Sequence, residues 1–324
     1  MIPRPRLLGA ISTLGQARAP VLVCHDRPDG DAIGSTLGLG LLLETQGAEV
    51  QFACVDPVPS QYRFLHGSER FTERPDFRKA DLLVVLDCPT DEKSALDIAK
   101  LAKRMPVVDI DHHPKRTLPR DRRLAVYDDR SSSAAEMVYE LAREGGWRFS
   151  RPSATALLTG IVTDTSAFQN QNTKSTTYQA AAALLRAGAD NRAIIKHCFY
   201  HSSIPKLRLW GRAMSRIDQH PQAGGVVSTV LTAEDLAECG ANQDDIEGLV
   251  NFLNAIPGVP AMMLLTDLGN GEVKGSLRTR NETIDVNRLA RTLGGGGHKQ
   301  AAGFSVPGRL AQNPDDTWSV LPPR

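Results

Sequence analysis

A chain of 324 residues is long for one domain and comfortable for two, and 41% hydrophobic with 23% charged residues is an ordinary globular composition. Its net charge of +1 argues against a nuclease that tracks long DNA on a strongly basic face, and suits a small phosphorylated ligand better. Five scattered cysteines (Cys24, Cys54, Cys88, Cys198 and Cys239) without a CxxC exclude a disulfide framework or a thiolate zinc site, so reduced, buried thiols are expected.

Taken in order, residues 6–17 read as a short helix. Val21-Leu22-Val23-Cys24 is a compact apolar run, as in a strand buried on both faces, and the polar loop His25 to Asp31 follows it. Ile33 to Gln46 carries apolar residues at helical spacing and stops at Gly47; Gln51–Val55 is a second strand, so the unit implies parallel pairing. Asp81–Leu86 is a third strand ending in Asp87, residues 93–104 a helix, and residues 106–111 a strand that Pro114 prevents from continuing. Ser133-Ala134-Ala135-Glu136 reads as a capping box opening a helix through Arg143, which leaves Glu136 a structural task. A helix from Ala154 to about Val162 brings Asp164 to its last turn.

Residues 176–216 are mainly helical with a break near Pro205, and the texture changes after Gly224. Val226–Leu231 is strand-like and residues 243–255 helical. Ala261–Asp267 and Glu272–Arg280 are strands joined at Gly269-Asn270-Gly271, and Asp285–Leu293 is a helix running into Gly294-Gly295-Gly296-Gly297-His298. The expected fold is α/β, with a mainly parallel-sheet N-terminal domain over 1–190, a helical linker over 191–215 and a smaller α/β domain over 216–324, the active site lying in the cleft between the domains. No run approaches the ~18 apolar residues of a membrane span, and Met1–Pro20 lacks the continuous apolar core of a signal peptide. A cytoplasmic protein with no membrane partner is therefore expected.

Three strands end in acids or histidines: His25 with Asp29 and Asp31, then Asp87, then Asp111 with His112 and His113. In a parallel sheet these ends lie side by side, with Asp164 as a further member of the group. So many carboxylates repel one another unless cations neutralise them. Carboxylates with a minority of imidazoles suit Mn²⁺, or Mg²⁺, better than structural zinc. More ligands than one ion needs point to a pair of ions sharing a carboxylate.

In order and spacing, His25-x-x-x-Asp29-x-Asp31, Asp87, Asp111-His112-His113 and Asp164, followed by the Gly-Gly-Gly-Gly-His loop, resemble the DHH phosphoesterase superfamily from about Val21 to about Phe304, with no departure at a ligand position. The closer likeness is to its branch with a DHH-associated C-terminal domain, the oligoribonuclease and 3'-phosphoadenosine-5'-phosphate phosphatase branch. The resemblance implies that His25, Asp29 and Asp87 hold one Mn²⁺, while Asp31, Asp87, His112 and Asp164 hold a second, Asp87 bridging. It places His113 next to the scissile phosphate, with Asp111 orienting the histidines and Asp87, Asp111 and His113 forming the catalytic set. It makes Arg278, Gly295, Gly296, Gly297 and His298 substrate-binding, although a glycine run by itself reads equally as a hinge.

The implied activity is hydrolysis of short oligoribonucleotides (nanoRNA) and 3'-phosphoadenosine-5'-phosphate, without long duplex partners and with room for a homodimer. A cyclic di-AMP or linear dinucleotide phosphodiesterase would use the same residues. A single-strand DNA exonuclease like RecJ is disfavoured by the short length and near-neutral charge, a related pyrophosphatase by the glycine loop, and a non-catalytic nucleotide sensor by the complete ligand set. His66, His197, His201 and His220 are expected to be structural or exposed.

Overall fold

The computed structural model describes residues 4–89, 94, 96–113, 123–199 and 203–323. Pro114 and His201 lie outside the described residues. The chain divides into two compact units, Met1–His201 and Ser202–Arg324.

In the first unit, helix α1 (Arg4–Gln16) leads into β1 (Pro20–Val23), α2 (Gly30–Glu44), β2 (Gln51–Ala53), β3 (Phe71–Thr72), β4 (Leu82–Leu86), α3 (Ile98–Leu101), β5 (Val107–Asp111) and β6 (Arg123–Tyr127). Helices α4 (Ala134–Glu144), α5 (Arg151–Asp164), α6 (Ser175–Arg186) and α7 (Asn191–Phe199) follow. The six strands form one wholly parallel sheet in the order β3-β2-β1-β4-β5-β6. Alternation along each strand divides the core. Leu22, Phe52, Val84, Val108 and Ile110 face the layer of α2, α4 and α5, whereas Val21, Val23, Leu83, Val85 and Val107 face Ile98 and Leu101 of α3.

Helix α2 is buried around nearly its whole circumference, and its glycines explain how. A Cβ on Gly34 would lie 2.5 Å from the Ala156 carbonyl oxygen and 2.7 Å from the Gly160 nitrogen, so α2 and α5 touch backbone to backbone. That contact draws Asp31 at the start of α2 against α5, where a Cβ on Gly160 would come within 2.6 Å of Asp31 Oδ1. Any side chain at position 34 must part the helices, at a cost of about 1–3 kcal/mol or more.

The second unit contains α8 (Ile204–Ser215), β7 (Asp218–His220), β8 (Val226–Leu231), α9 (Ala233–Cys239), α10 (Leu249–Leu253), β9 (Met262–Asp267), β10 (Glu272–Arg278), α11 (Val286–Thr292), β11 (Gly296–Gly297), β12 (Ala301–Pro307), β13 (Arg309–Gln312) and β14 (Trp318–Leu321). Its main sheet runs β11-β12-β10-β9-β8-β7, antiparallel except between β8 and β9, with β13 and β14 as a separate hairpin. The β9–β10 hairpin turns at Gly269–Gly271, as its glycines require.

Several expectations need correction. Among the described residues the helix expected over 93–104 is a single turn at Ile98–Leu101, and that expected over 243–255 reaches only Leu249–Leu253 after a 3-10 turn. Strands β3, β6, β7, β12, β13 and β14 were not anticipated, because short, charge-flanked or glycine-interrupted strands carry too few alternations to register. The capping box at Ser133 is half formed. Ser133 Oγ accepts from Glu136 N–H, but Glu136 Oε2 accepts from Ser132 N–H and Oγ–H and from Thr177 Oγ1–H, bracing α4 against α6. All five cysteines are free, four of them buried and Cys198 partly so. No helix among the described residues is long and apolar enough to cross a membrane.

Candidate metal centre

Strand order in the first sheet reverses between β1 and β4, and loops leaving such a pair at their carboxyl ends diverge and leave a crevice between them. His25 follows β1 and Asp87 follows β4, so both arise at this switch point. Asp87 leaves its strand at φ +54°, a left-handed conformation that few side chains accept. Its N–H donates to the Ile110 carbonyl at 2.9 Å, tying the turn to β5. The residue is only 2% exposed, and its Oδ1 makes no hydrogen bond among the described residues. Backbone strain at a buried, under-satisfied carboxylate is characteristic of functional sites.

The other acids are placed by helix ends. Asp29 caps α2, Oδ1 accepting from the N–H groups of Asp31 and Ala32, both at 3.0 Å. Asp31 is 1% exposed and lies on the amino end of α4, where Ala134 N–H donates to Oδ2 at 2.6 Å and Ala135 N–H to Oδ1 at 2.9 Å. Asp164 is the final residue of α5. Three carboxylates surround His112. Its Nε2 lies 3.5 Å from Asp87 Oδ1, 3.7 Å from Asp164 Oδ2 and 3.8 Å from Asp31 Oδ2.

The second ring nitrogen of each neighbouring histidine has a separate partner. His25 Nδ1 donates to the Asp26 carbonyl at 2.6 Å, which leaves Nε2 facing Asp87 Oδ2 at 3.7 Å. His113 Nδ1 donates to Asp111 Oδ1 at 2.8 Å, and Tyr127 Oη–H donates to the His113 carbonyl at 2.8 Å. With its side chain 38% exposed, His113 is the most open of the three. The structure thus shows Asp111 as the partner of His113 Nδ1.

The ligand-type atoms gather into three groups, each with atoms within 4.8 Å of one another: His25, Asp29 and Asp87; Asp31, His112 and Asp164; and Asp87, His112 and His113. Separations of 3.5–3.8 Å are too long for good hydrogen bonds. They match oxygen and nitrogen ligands gathered ~2–2.5 Å from a common ion. Electrostatics argue the same way. Burial, then Asp87 and Asp164, push Asp31 well up, and burial with neighbouring carboxylates takes Asp164 to about 7. Burial lowers the imidazoles, but Asp87 outweighs it at His25, which rises to about 9, and Asp87, Asp31 and Asp164 together raise His112 to about 10. Burial raises Asp87 too, yet His112 and His25 hold it at about 2. Protonated imidazoles here supply the positive charge that the carboxylates demand, so the donor set fits a divalent cation.

The residues expected to bind substrate lie in the second unit. Arg278 ends β10, its Nε–H donating to Asn251 Oδ1 at 2.8 Å, and burial lowers its pKa. Ala301 pairs with Arg278, and the next residue of β12, Ala302, pairs with Gly297 on the other side, so Arg278 and the glycine run meet at one end of the sheet. The run is not a loose hinge: Gly296–Gly297 form the edge strand β11. A Cβ on Gly295 would lie 2.1 Å from the Gly303 carbonyl oxygen, so only glycine permits this approach. His298 is exposed, its N–H donating to the Ala301 carbonyl. His220 is bonded to Ser228, His197 stacks on Phe64 and His66 is exposed, and none of them belongs to the three ligand groups. Sequence reasoning missed Tyr127, at the end of β6, and Asn170 and Asn172, beyond α5, because isolated polar residues carry no spacing signal.

Residues 20–161 match the model of the DHH family, N-terminal domain, and residues 223–316 that of the DHHA1 domain. The bifunctional oligoribonuclease and PAP phosphatase NrnA of Thermus thermophilus is 32% identical over 297 residues, covering 91% of this chain and 86% of its own. The Bacillus subtilis protein of the same name is 28% identical over 300 residues, 91% and 92% respectively. The crystal structure of an exopolyphosphatase-related protein from Bacteroides fragilis superposes with a TM-score of 0.83 at 26% identity, over 94% of this chain and 92% of that one.

Proposed function

The chain belongs to the DHH family, and on that premise we propose that it hydrolyses short oligoribonucleotides and 3'-phosphoadenosine-5'-phosphate with two Mn²⁺ ions. It is a hydrolase of phosphoester bonds. The observation that carries the proposal is the convergence of two ligand groups around Asp87 at the switch point of the sheet. His25, Asp29 and Asp87 would hold one ion, and Asp31, Asp87, His112 and Asp164 the other. Bound divalent ions supply charge neutralisation at phosphoryl oxygens and make water more acidic.

The chain's own groups account for the rest. The Nδ1 donations of His25 and His113 fix which nitrogen each ring presents. Burial lowers the pKa of His113, but the hydrogen bond to Asp111 and the charge of Asp87 outweigh it; the net rise favours the imidazolium, whose Nε2–H would donate to a phosphate oxygen as negative charge grows there. Arg278, His298 and the close-approaching backbone of Gly295, Gly296 and Gly297 would grip the nucleotide. A net charge of +1 supports short, lightly charged substrates.

The test is a panel of RNA dimer to pentamer, 3'-phosphoadenosine-5'-phosphate, cyclic di-AMP, pyrophosphate and single-stranded DNA, with Mn²⁺, Mg²⁺ or EDTA. RNA dimer and 3'-phosphoadenosine-5'-phosphate should be cleaved fastest with Mn²⁺ and not at all in EDTA. Faster cleavage of pyrophosphate or long DNA would overturn the assignment. In the same assay, Arg278→Ala should raise KM about 10- to 100-fold with kcat little changed, the effect of losing a charge-assisted contact worth roughly 1.5–3 kcal/mol. A fall in kcat alone would remove Arg278 from the binding set.

A further inference from the structure

Beyond Asp164 the chain turns back on itself at a conformational cost. Ser166, Ala167 and Phe168 adopt successive left-handed conformations, φ +49°, +56° and +66°. Each is disfavoured for a residue with a side chain by about 1 kcal/mol or more. Hydrogen bonds back to α5 hold them: Ala167 N–H donates to the Val162 carbonyl at 2.8 Å and Phe168 N–H to Thr165 Oγ1 at 3.0 Å. The reversal returns two asparagines to Asp164. Asn170 Nδ2 donates to the Asp164 main-chain carbonyl at 3.0 Å. Asn172 Nδ2 donates to the Ser132 carbonyl at 2.9 Å and reaches Asp164 Oδ2 at 3.5 Å.

The Ser132 carbonyl beside Asn172 Nδ2 can only accept, so the amide has one sensible orientation and Oδ1 is fixed with it. That Oδ1 is buried and receives no hydrogen bond among the described residues. A buried acceptor of this kind costs about 1–3 kcal/mol until a donor reaches it. Ser132 immediately precedes Ser133, the cap of α4, and α4 holds both oxygens of Asp31 through the N–H groups of Ala134 and Ala135. One amide therefore links the support of Asp31 to the carboxylate of Asp164.

We infer that Asn172 is a positioning residue for a single metal position, cross-bracing two of its four ligands. Nδ2 keeps Asp164 Oδ2 turned toward His112 Nε2, 3.7 Å away, and Oδ1 would accept from a water of the ion that Asp31, Asp87, His112 and Asp164 would hold. This rests on the two-ion reading above.

Calorimetric titration of the full chain with Mn²⁺, without substrate, tests both. Wild type should bind two ions; fewer would overturn the two-ion reading and this inference with it. Given two ions, Asn172→Leu should weaken one binding event about 10- to 100-fold and leave the other unchanged, with little change in the Tm of the ion-free protein. Asn170→Ala, which loses only a main-chain cap, should lower Tm and leave both affinities intact. Should Asn172→Leu fail to fold, Asn172→Asp keeps the volume, removes the donor and should show the same selective loss. Equal weakening of both events, or none, in the variant that folds would reduce Asn172 to a structural residue and overturn the inference.

Discussion

Asp87→Asn should lower kcat/KM by at least about a thousandfold while leaving the fold intact. Asp87 belongs to two of the ligand groups, so the substitution weakens both proposed ion positions at once. Losing several kcal/mol of metal-assisted stabilisation, about 4, corresponds to that factor. Asparagine is the informative replacement because Asp87 sits at φ +54°, which Asn tolerates at less cost than Ala. With Ala, backbone strain would add to the lost ligand and blur the result. Far-UV circular dichroism should match wild type. Activity within tenfold of wild type would show that Asp87 is not shared between ions.

Mn²⁺ affinity should rise steeply with pH between about 6 and 9, with protons released on binding. In the ion-free site His25 titrates near 9 and His112 near 10, so at neutral pH both imidazoles hold protons that an ion must displace. More protons should leave near pH 6 than near pH 8, because Asp164 at about 7 is then protonated as well. Calorimetry in buffers of different ionisation enthalpy counts them.

Stability follows the same signs. The raised histidines stabilise the fold fully below their unfolded pKa of about 6.5 and lose that contribution as pH rises through 9 to 10. Raised Asp31 and Asp164 add a penalty as they ionise, whereas the contribution of Asp87 is constant above about pH 4. The Tm of EDTA-treated protein should therefore fall across this range, and the gap to the Mn²⁺-loaded protein should widen. A pH-independent gap would mean that the ions do not compete with these protons.

Residue type and order alone determined much of this protein. The apolar runs before His25, Asp87 and Asp111 specify a parallel sheet, because strands covered on both faces need no polar alternation. The acids and histidines at their ends specify a cation site, because like charges so placed need neutralising. Tertiary structure decided what depends on distances between segments remote in sequence. It placed Asp31 on the amino end of α4, a helix that begins at residue 134, through a glycine contact between α2 and α5. It bonded His113 to Asp111, and it turned the glycine run from a supposed loop into an edge strand. It brought Asn172 back to Asp164 through three left-handed residues that nothing in Ser-Ala-Phe announces. Spacing within a strand or helix is written into local periodicity, whereas which helix end meets which carboxylate is set by packing across the whole core.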